Sequence, residues 1–164
     1  MKSEILSFSW EYIEDACLNI AHKIKQDEFV PDLILPVLWG GAIPARILID
    51  MMNWPRTKCR PIVARSYYSS EKDKDVTVDI DFDIKNPHDN SVLIVEEIVD
   101  TGHTVKATIK KLLEKGFISD RIDIASIVYR DGGFVPDFYH VKVKDEWIVF
   151  PWDKREYIRE IEAK

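Results

Sequence analysis

Val92–Thr104 reads VLIVEEIVDTGHT, and its interpretation decides the fold. Four apolar residues, Val92 to Val95, run without alternation into two adjacent glutamates, Glu96 and Glu97. Two more apolar residues separate these from Asp100-Thr101-Gly102-His103-Thr104. An unbroken apolar run of this length suits a strand buried on both faces, as in a parallel sheet. Ligands of such sheets bind just beyond the carboxyl ends of the strands, so Val92–Val95 would deliver both glutamates to that edge. Asp100–Thr104 would then be the loop before a helix, where free N–H groups and the positive dipole end face outward. A phosphate fits there: Gly102 permits close approach, and Thr101 and Thr104 add hydroxyl donors. The glutamates cannot face that phosphate without repulsion. Sugar hydroxyls or Mg2+ are the partners that suit them.

The flanking sequence supports this placement. Thr104–Lys115 carries Val105, Ile109, Leu112 and Leu113 on one helical face and ends at Gly116, a C-cap position. Upstream, Ser9 is an N-cap for a helix over residues 10–26, with Ile13, Cys17, Ile20 and Ile24 at helical spacing. Asp32–Leu38 (DLILPVL) reads as a buried strand, although Pro36 removes one donor from its ladder. Gly40-Gly41 breaks the chain before a helix over Ile43–Met52. Pro61–Tyr68 is a further strand leading into SSEKDKDVTVD, whose polar composition predicts an exposed mobile loop. NPHDN at Asn86–Asn90 is a turn. Ile122–Tyr129, Phe138–Val143 and WIVF at 147–150 read as strands, and the tail WDKREYIREIEAK as a short helix. Strands alternating with helices predict an α/β fold with a mostly parallel sheet.

Bulk composition narrows the function. At 164 residues the chain is expected to form one domain, 1–164, burying roughly 70% of the surface an unfolded chain exposes. The net charge of -6, without a basic run, argues against nucleic-acid binding, which needs clustered Lys and Arg. The N-terminus MKSEILSFSWEYIEDACLNI carries acidic residues where a signal peptide needs apolar ones. No apolar run approaches the ~20 residues of a membrane span, so no membrane partner is expected. Cys17 and Cys59 lack metal spacing and read as buried thiols of a reducing, cytoplasmic compartment.

The pattern of Val92–Thr104 resembles the phosphoribosyl-diphosphate (PRPP) signature of the type I phosphoribosyltransferases. The resemblance extends over nearly the whole chain and is closest to the short microbial and archaeal purine enzymes. Gly40-Gly41, preceded by Trp39, resembles their pyrophosphate loop. Ser66-Tyr67 resembles the Ser-Tyr of their flexible catalytic loop. Pro136-Asp137-Phe138 and Trp147-Ile148-Val149-Phe150-Pro151-Trp152-Asp153 resemble their C-terminal base-binding segment.

The resemblance implies a type I phosphoribosyltransferase fold: a mostly parallel twisted sheet flanked by helices, with a small C-terminal/N-terminal base-binding hood contributed mainly by about residues 130–164. By it, Glu96 and Glu97 would take the ribose hydroxyls, with Glu97 near Mg2+. Asp100, Thr101, Gly102, His103 and Thr104 would hold the 5-phosphate, and Asp100 would exchange a proton with purine N7. Trp39, Gly40 and Gly41 would face pyrophosphate, and Ser66 and Tyr67 would belong to a lid reaching about Asp79. Trp147 would stack on the base, Ile148 would meet its edge through the backbone, and Asp153 would bind a second Mg2+. The reaction implied is displacement of pyrophosphate from C1 of PRPP by a purine nitrogen, giving a nucleoside monophosphate. The family resemblance also implies a homo-oligomer, a dimer or tetramer.

Three positions depart from the family pattern. Trp39 and His103 stand where relatives commonly carry basic residues. Tyr129 stands about where 6-oxopurine enzymes place a base-reading lysine; a shift of one residue puts Arg130 there. Because a tyrosine hydroxyl both donates and accepts, 6-oxopurines and adenine stay open as substrates. So does a regulatory protein that binds PRPP or a nucleotide without turnover.

Overall fold

The computed structural model describes residues 4–68 and 74–162. In chain order these form β1 (Ile5–Ser7), α1 (Trp10–Gln26), β2 (Leu33–Leu38), α2 (Ala42–Met51), β3 (Ile62–Tyr68) and β4 (Lys74–Asp79). There follow β5 (Val92–Val99), α3 (His103–Glu114), β6 (Ile122–Arg130), β7 (Phe138–Val143), β8 (Trp147–Val149) and α4 (Lys154–Glu162). Six strands make one sheet in the order β4-β3-β2-β5-β6-β7, parallel throughout except for the β3–β4 pair. The α/β fold with a mostly parallel sheet is therefore the one the sequence predicts.

Strand alternation divides the core in two. Leu93 and Val95 point to one face and pack with Ile13, Cys17 and Ile20 of α1 and Leu48 of α2. Val92 and Ile94 point to the other and pack with Val105 and Leu112 of α3. Both faces are buried, which is why β5 carries no polar alternation. Helix α1 begins where Ser9 Oγ accepts the Tyr12 N–H at 3.1 Å, the cap read from the sequence. Pro36 is the last residue of β2 in register with β5, and pairing with β3 starts at Val37. Its missing donor thus falls where the strand changes partners.

Four features differ from the sequence reading. First, β5 continues through both glutamates to Val99, because Ile98 and Val99 still find apolar cover. Second, part of the expected mobile loop is a strand: β4 runs antiparallel to β3, with Val63 opposite Asp79 and Ser66 opposite Val76. The alternation of Val76 and Val78 with Thr77 and Asp79 is the signal; Val78 is buried, and Arg65 pairs with Asp79. Ser66 and Tyr67 accordingly lie in β3, not in a loop, while the tip at 69–73 lies outside the described residues. Third, the N-terminal β1 was not expected. Fourth, β8 does not join the main sheet but pairs with β1, Leu6 opposite Ile148. Of residues 130–164, β7 belongs to the large sheet, so the small second sheet joins the two ends of the chain.

Candidate functional site

The end of β5 separates its two glutamates. Glu96 lines a cleft of about 320 Å³ with Ile98, Val99, Asp100, Thr101, Gly102, His103, Thr104 and Val105. Glu97 lines another of about 460 Å³ with Trp39, Gly40, Ala42, Ile43, Trp152 and Asp153. Successive strand residues point to opposite faces, so adjacent carboxylates enter different chambers without sharing a ligand atom. That is the physical sense of two like charges side by side.

The Glu96 chamber is built from one contiguous segment. Gly102 occupies the position before α3 with φ +82°, a left-handed conformation, and a Cβ there would collide with Phe134. Among the described residues no side chain caps α3, so its first N–H groups remain turned to the cleft. Thr101 Oγ1 lies 3.0 Å from His103 Nδ1, a hydrogen bond between the two exposed side chains. An uncapped helix start, a glycine and threonine hydroxyls make an anion-binding concavity.

The Glu97 chamber draws on three distant segments. Gly40 lies so close to the Glu97 carboxylate that a Cβ would occupy its place. Gly41 touches the Val95 carbonyl in the same way. The Trp152 indole Nε1 donates to Glu97 Oε2 at 2.7 Å, and Trp152 is stacked on Phe150 with centroids 4.9 Å apart. Trp39 is 84% exposed at the rim, after a cis peptide from Leu38.

Both carboxyls feel their burial. Desolvation pushes Glu96 up to about 8, with the Glu97 charge adding to the rise. Glu97 is pushed up to about 7, again by burial, with Asp153 raising it and the Trp152 bond opposing. A cation or a set of hydroxyl donors arriving here would restore the ionised forms. Among the described residues no group of three or more His, Cys, Asp or Glu converges as a metal centre. Glu97 and Asp153 supply two carboxylates to one chamber, which suits Mg2+ completed by substrate oxygens and water.

Asp100 sits at the cleft mouth with its side chain 59% exposed. Arg130 Nε donates to Asp100 Oδ1 at 2.6 Å, and Arg130 Nη1 donates to the carbonyls of Lys144 at 2.6 Å and Glu146 at 3.2 Å. The guanidinium thus joins Asp100 to the turn that leads into Trp147, which is 54% exposed on β8. Ile148, half-buried, packs on the α1-side core.

Tyr129 is not brought to this place. Its ring is buried in the α3-side core against Tyr139, centroids 4.6 Å apart. In-out alternation is interrupted here: Ile127 and Val128 both join the α1-side core. β5 and β6 keep their one-to-one register, Ile98 opposite Val128 and Val99 opposite Tyr129, so both strands turn together. A one-residue change of facing exchanges Tyr129 for Arg130. The contacts of Trp152 and Phe134 and the bond of Arg130 to Asp100 were missed by sequence reasoning, although Arg130 was named there as the alternative to Tyr129. Trp152 stands directly before Asp153 in the segment already singled out, and that adjacency was the available signal.

Comparison with known proteins identifies the family and the fold. The family described as phosphoribosyl transferase domain matches residues 9–158. A xanthine-guanine phosphoribosyltransferase of Idiomarina loihiensis is 29% identical over 147 residues, 88% of this chain and 84% of that protein. Xanthine phosphoribosyltransferase 1 of Saccharomyces cerevisiae is 26% identical, covering 93% of this chain and 91% of its own. The crystal structure of a purine phosphoribosyltransferase from Pyrococcus horikoshii superposes with a TM-score of 0.74 at 28% identity, over 91% of this chain and 94% of that one. With a family match spanning almost the whole chain, residues 9–158, this protein belongs to the phosphoribosyl transferase domain family.

Proposed function

We propose that this protein is a purine phosphoribosyltransferase of purine salvage, transferring the 5-phosphoribosyl group from PRPP to a 6-oxopurine. The observation that carries the reading is the split of Glu96 and Glu97 into two chambers on either side of β5. One chamber receives the 5-phosphate at Thr101–Thr104 and the start of α3; the other receives the pyrophosphate end beside Trp39, Gly40 and Gly41. The ribose lies between them, its hydroxyls accepted by the glutamates. Glu97 and Asp153 would hold Mg2+, which when bound would neutralise charge on the departing pyrophosphate.

The purine N9 forms its bond to C1 as the C1–oxygen bond to pyrophosphate breaks, with positive charge gathering on the ribose ring. Asp100 exchanges the proton at N7. Its Oδ1 accepts from Arg130, which leaves Oδ2 to take that proton. Trp147 stacks on the purine, and Ile148 presents its backbone to the edge. Positioning and electrostatics therefore do most of the work. Water must be excluded from such a cation, and the β3–β4 hairpin with Ser66 and Tyr67 is the segment assigned to that closure.

Arg130, rather than Tyr129, is the side chain that can read the 6-substituent. A guanidinium only donates, so it suits an oxygen and not the amine of adenine. Among the described residues its Nη2 makes no hydrogen bond, leaving a donor for that oxygen. The chain acts as one domain, with β8 and the turn before it as the hood over the base. A cytoplasmic setting accords with the free thiols of Cys17 and Cys59.

The regulatory reading has one observation in its favour: among the described residues no basic side chain lines the Glu97 chamber. The decisive experiment incubates the protein with PRPP, Mg2+ and labelled hypoxanthine, guanine, xanthine or adenine. Nucleoside monophosphate and pyrophosphate in equal amounts, with the 6-oxopurines preferred, is the expected result. Tight PRPP binding with no turnover on any base would favour the regulator.

A further inference from the structure

We infer that Trp152 is a positioning residue that sets the Glu97 carboxylate, and with it the spacing of the Glu97–Asp153 pair. The ligand assigned to that pair rests on the function proposed above; the contact itself does not.

On one side Glu97 packs against Gly40, where a Cβ would fall on its carboxylate. On another side the Trp152 indole N–H donates to Oε2 at 2.7 Å. An indole can only donate. It therefore holds one carboxylate oxygen as an acceptor and leaves Oε1 for whatever enters the chamber.

The ring is itself immobilised. It is stacked on Phe150 with planes 8° apart, and the Trp10 ring at the start of α1 lies 5.7 Å away. Trp152 and Asp153 are consecutive, and the Asp153 N–H is anchored to the Phe150 carbonyl at 3.0 Å. One hydrogen bond thus ties the C-terminal segment to β5 and fixes how two carboxylates meet in one chamber.

The test uses the indole N–H as its own reporter. Spectra of the 15N-labelled full chain should show five indole signals, one per tryptophan. Trp152→Phe keeps a stacking ring but removes the donor, and identifies the Trp152 signal by its loss. That signal should move in Glu97→Gln without ligand, and again when PRPP and Mg2+ are added to the wild type. In Trp152→Phe the Kd for PRPP with Mg2+ should rise about 10-fold, the scale of one hydrogen bond to a charged group. The KM for the base should change less than about 3-fold. A Trp152 signal unmoved by Glu97→Gln, or unchanged PRPP affinity in folded Trp152→Phe, would overturn the inference. Failure of the wild type to bind PRPP at all would instead overturn the proposed function, while the ligand-free signal would still judge the Trp152–Glu97 contact.

Discussion

The chambers on either side of β5 are made in opposite ways. The one at Glu96 comes from a single stretch, residues 96–105, turning from strand through Gly102 into α3. The one at Glu97 is assembled from Trp39–Ile43, β5 and Trp152–Asp153, which meet only when the whole sheet has formed. A locally encoded pocket keeps its shape through backbone geometry, whereas an assembled one depends on contacts between side chains far apart in sequence. The two should respond differently to substitution.

The largest effect is expected at the exit of the first chamber. Asp100→Asn keeps the shape and the Arg130 contact but cannot exchange a proton in the same way. Loss of general acid–base assistance should lower kcat at least ~10²-fold, with PRPP affinity changed less than ~10-fold. Steady-state kinetics with a melting control would measure it; a nearly normal kcat would reduce Asp100 to a structural partner of Arg130.

The adjacent glycines of the second chamber offer the sharpest contrast. In Gly41→Ala the new Cβ meets the backbone carbonyl of Val95, which cannot yield, so stability should drop by about 1–3 kcal/mol. In Gly40→Ala it meets the movable end of Glu97, so the fold should survive while PRPP binding weakens about 10-fold or more. Chemical denaturation alongside calorimetric titration separates the two outcomes, and equal losses of stability would erase the distinction.

A smaller effect is expected at Trp147, half exposed and hence nearly dispensable to the fold. Trp147→Ala should raise the KM for the base roughly 10-fold, since stacking on an aromatic ring contributes about 1–3 kcal/mol. PRPP affinity should hardly move; an equal loss for both ligands would place the ring in the fold's support.

The smallest effect is in pH. Both glutamates have folded values, about 8 and about 7, above their ordinary 4.5. Between these limits the native chain retains protons that the unfolded chain has released, so stability falls as pH rises. Melting temperature of the ligand-free protein should decline from about pH 5 to pH 8, with Asp123, raised to about 6 by its burial, adding to the lower part, and Glu96→Gln should remove the largest single share of the decline. Apparent Mg2+ affinity should rise through the same window as the carboxyls ionise. A flat melting profile would mean that the two groups are not held protonated.

The contrast between the chambers also explains what could be read in the sequence. The strand–loop–helix around Glu96 was legible because apolar run, acids, Gly102 and threonines are all neighbours. Helix α1 was legible from Ser9 and its spaced isoleucines. By contrast, β1 is three residues long and finds its partner only at β8, so nothing local marks it. β4 was hidden because Lys and Asp dominate its composition while Val76 and Val78 carry its pattern. The exchange of Tyr129 for Arg130 depends on a turn shared with β5, and Trp152 reaches Glu97 only through the closed fold. What escaped was non-local.

The most direct test of the account is PRPP binding, measured by titration with and without Mg2+, in wild type, Glu96→Ala, Glu97→Ala and the double variant. If the two chambers hold the two ends of one PRPP, each single substitution should weaken binding, and only Glu97→Ala should remove its Mg2+ dependence. The double variant should lose binding. Unchanged PRPP affinity in a folded double variant would contradict the assignment of both glutamates and the function built on them.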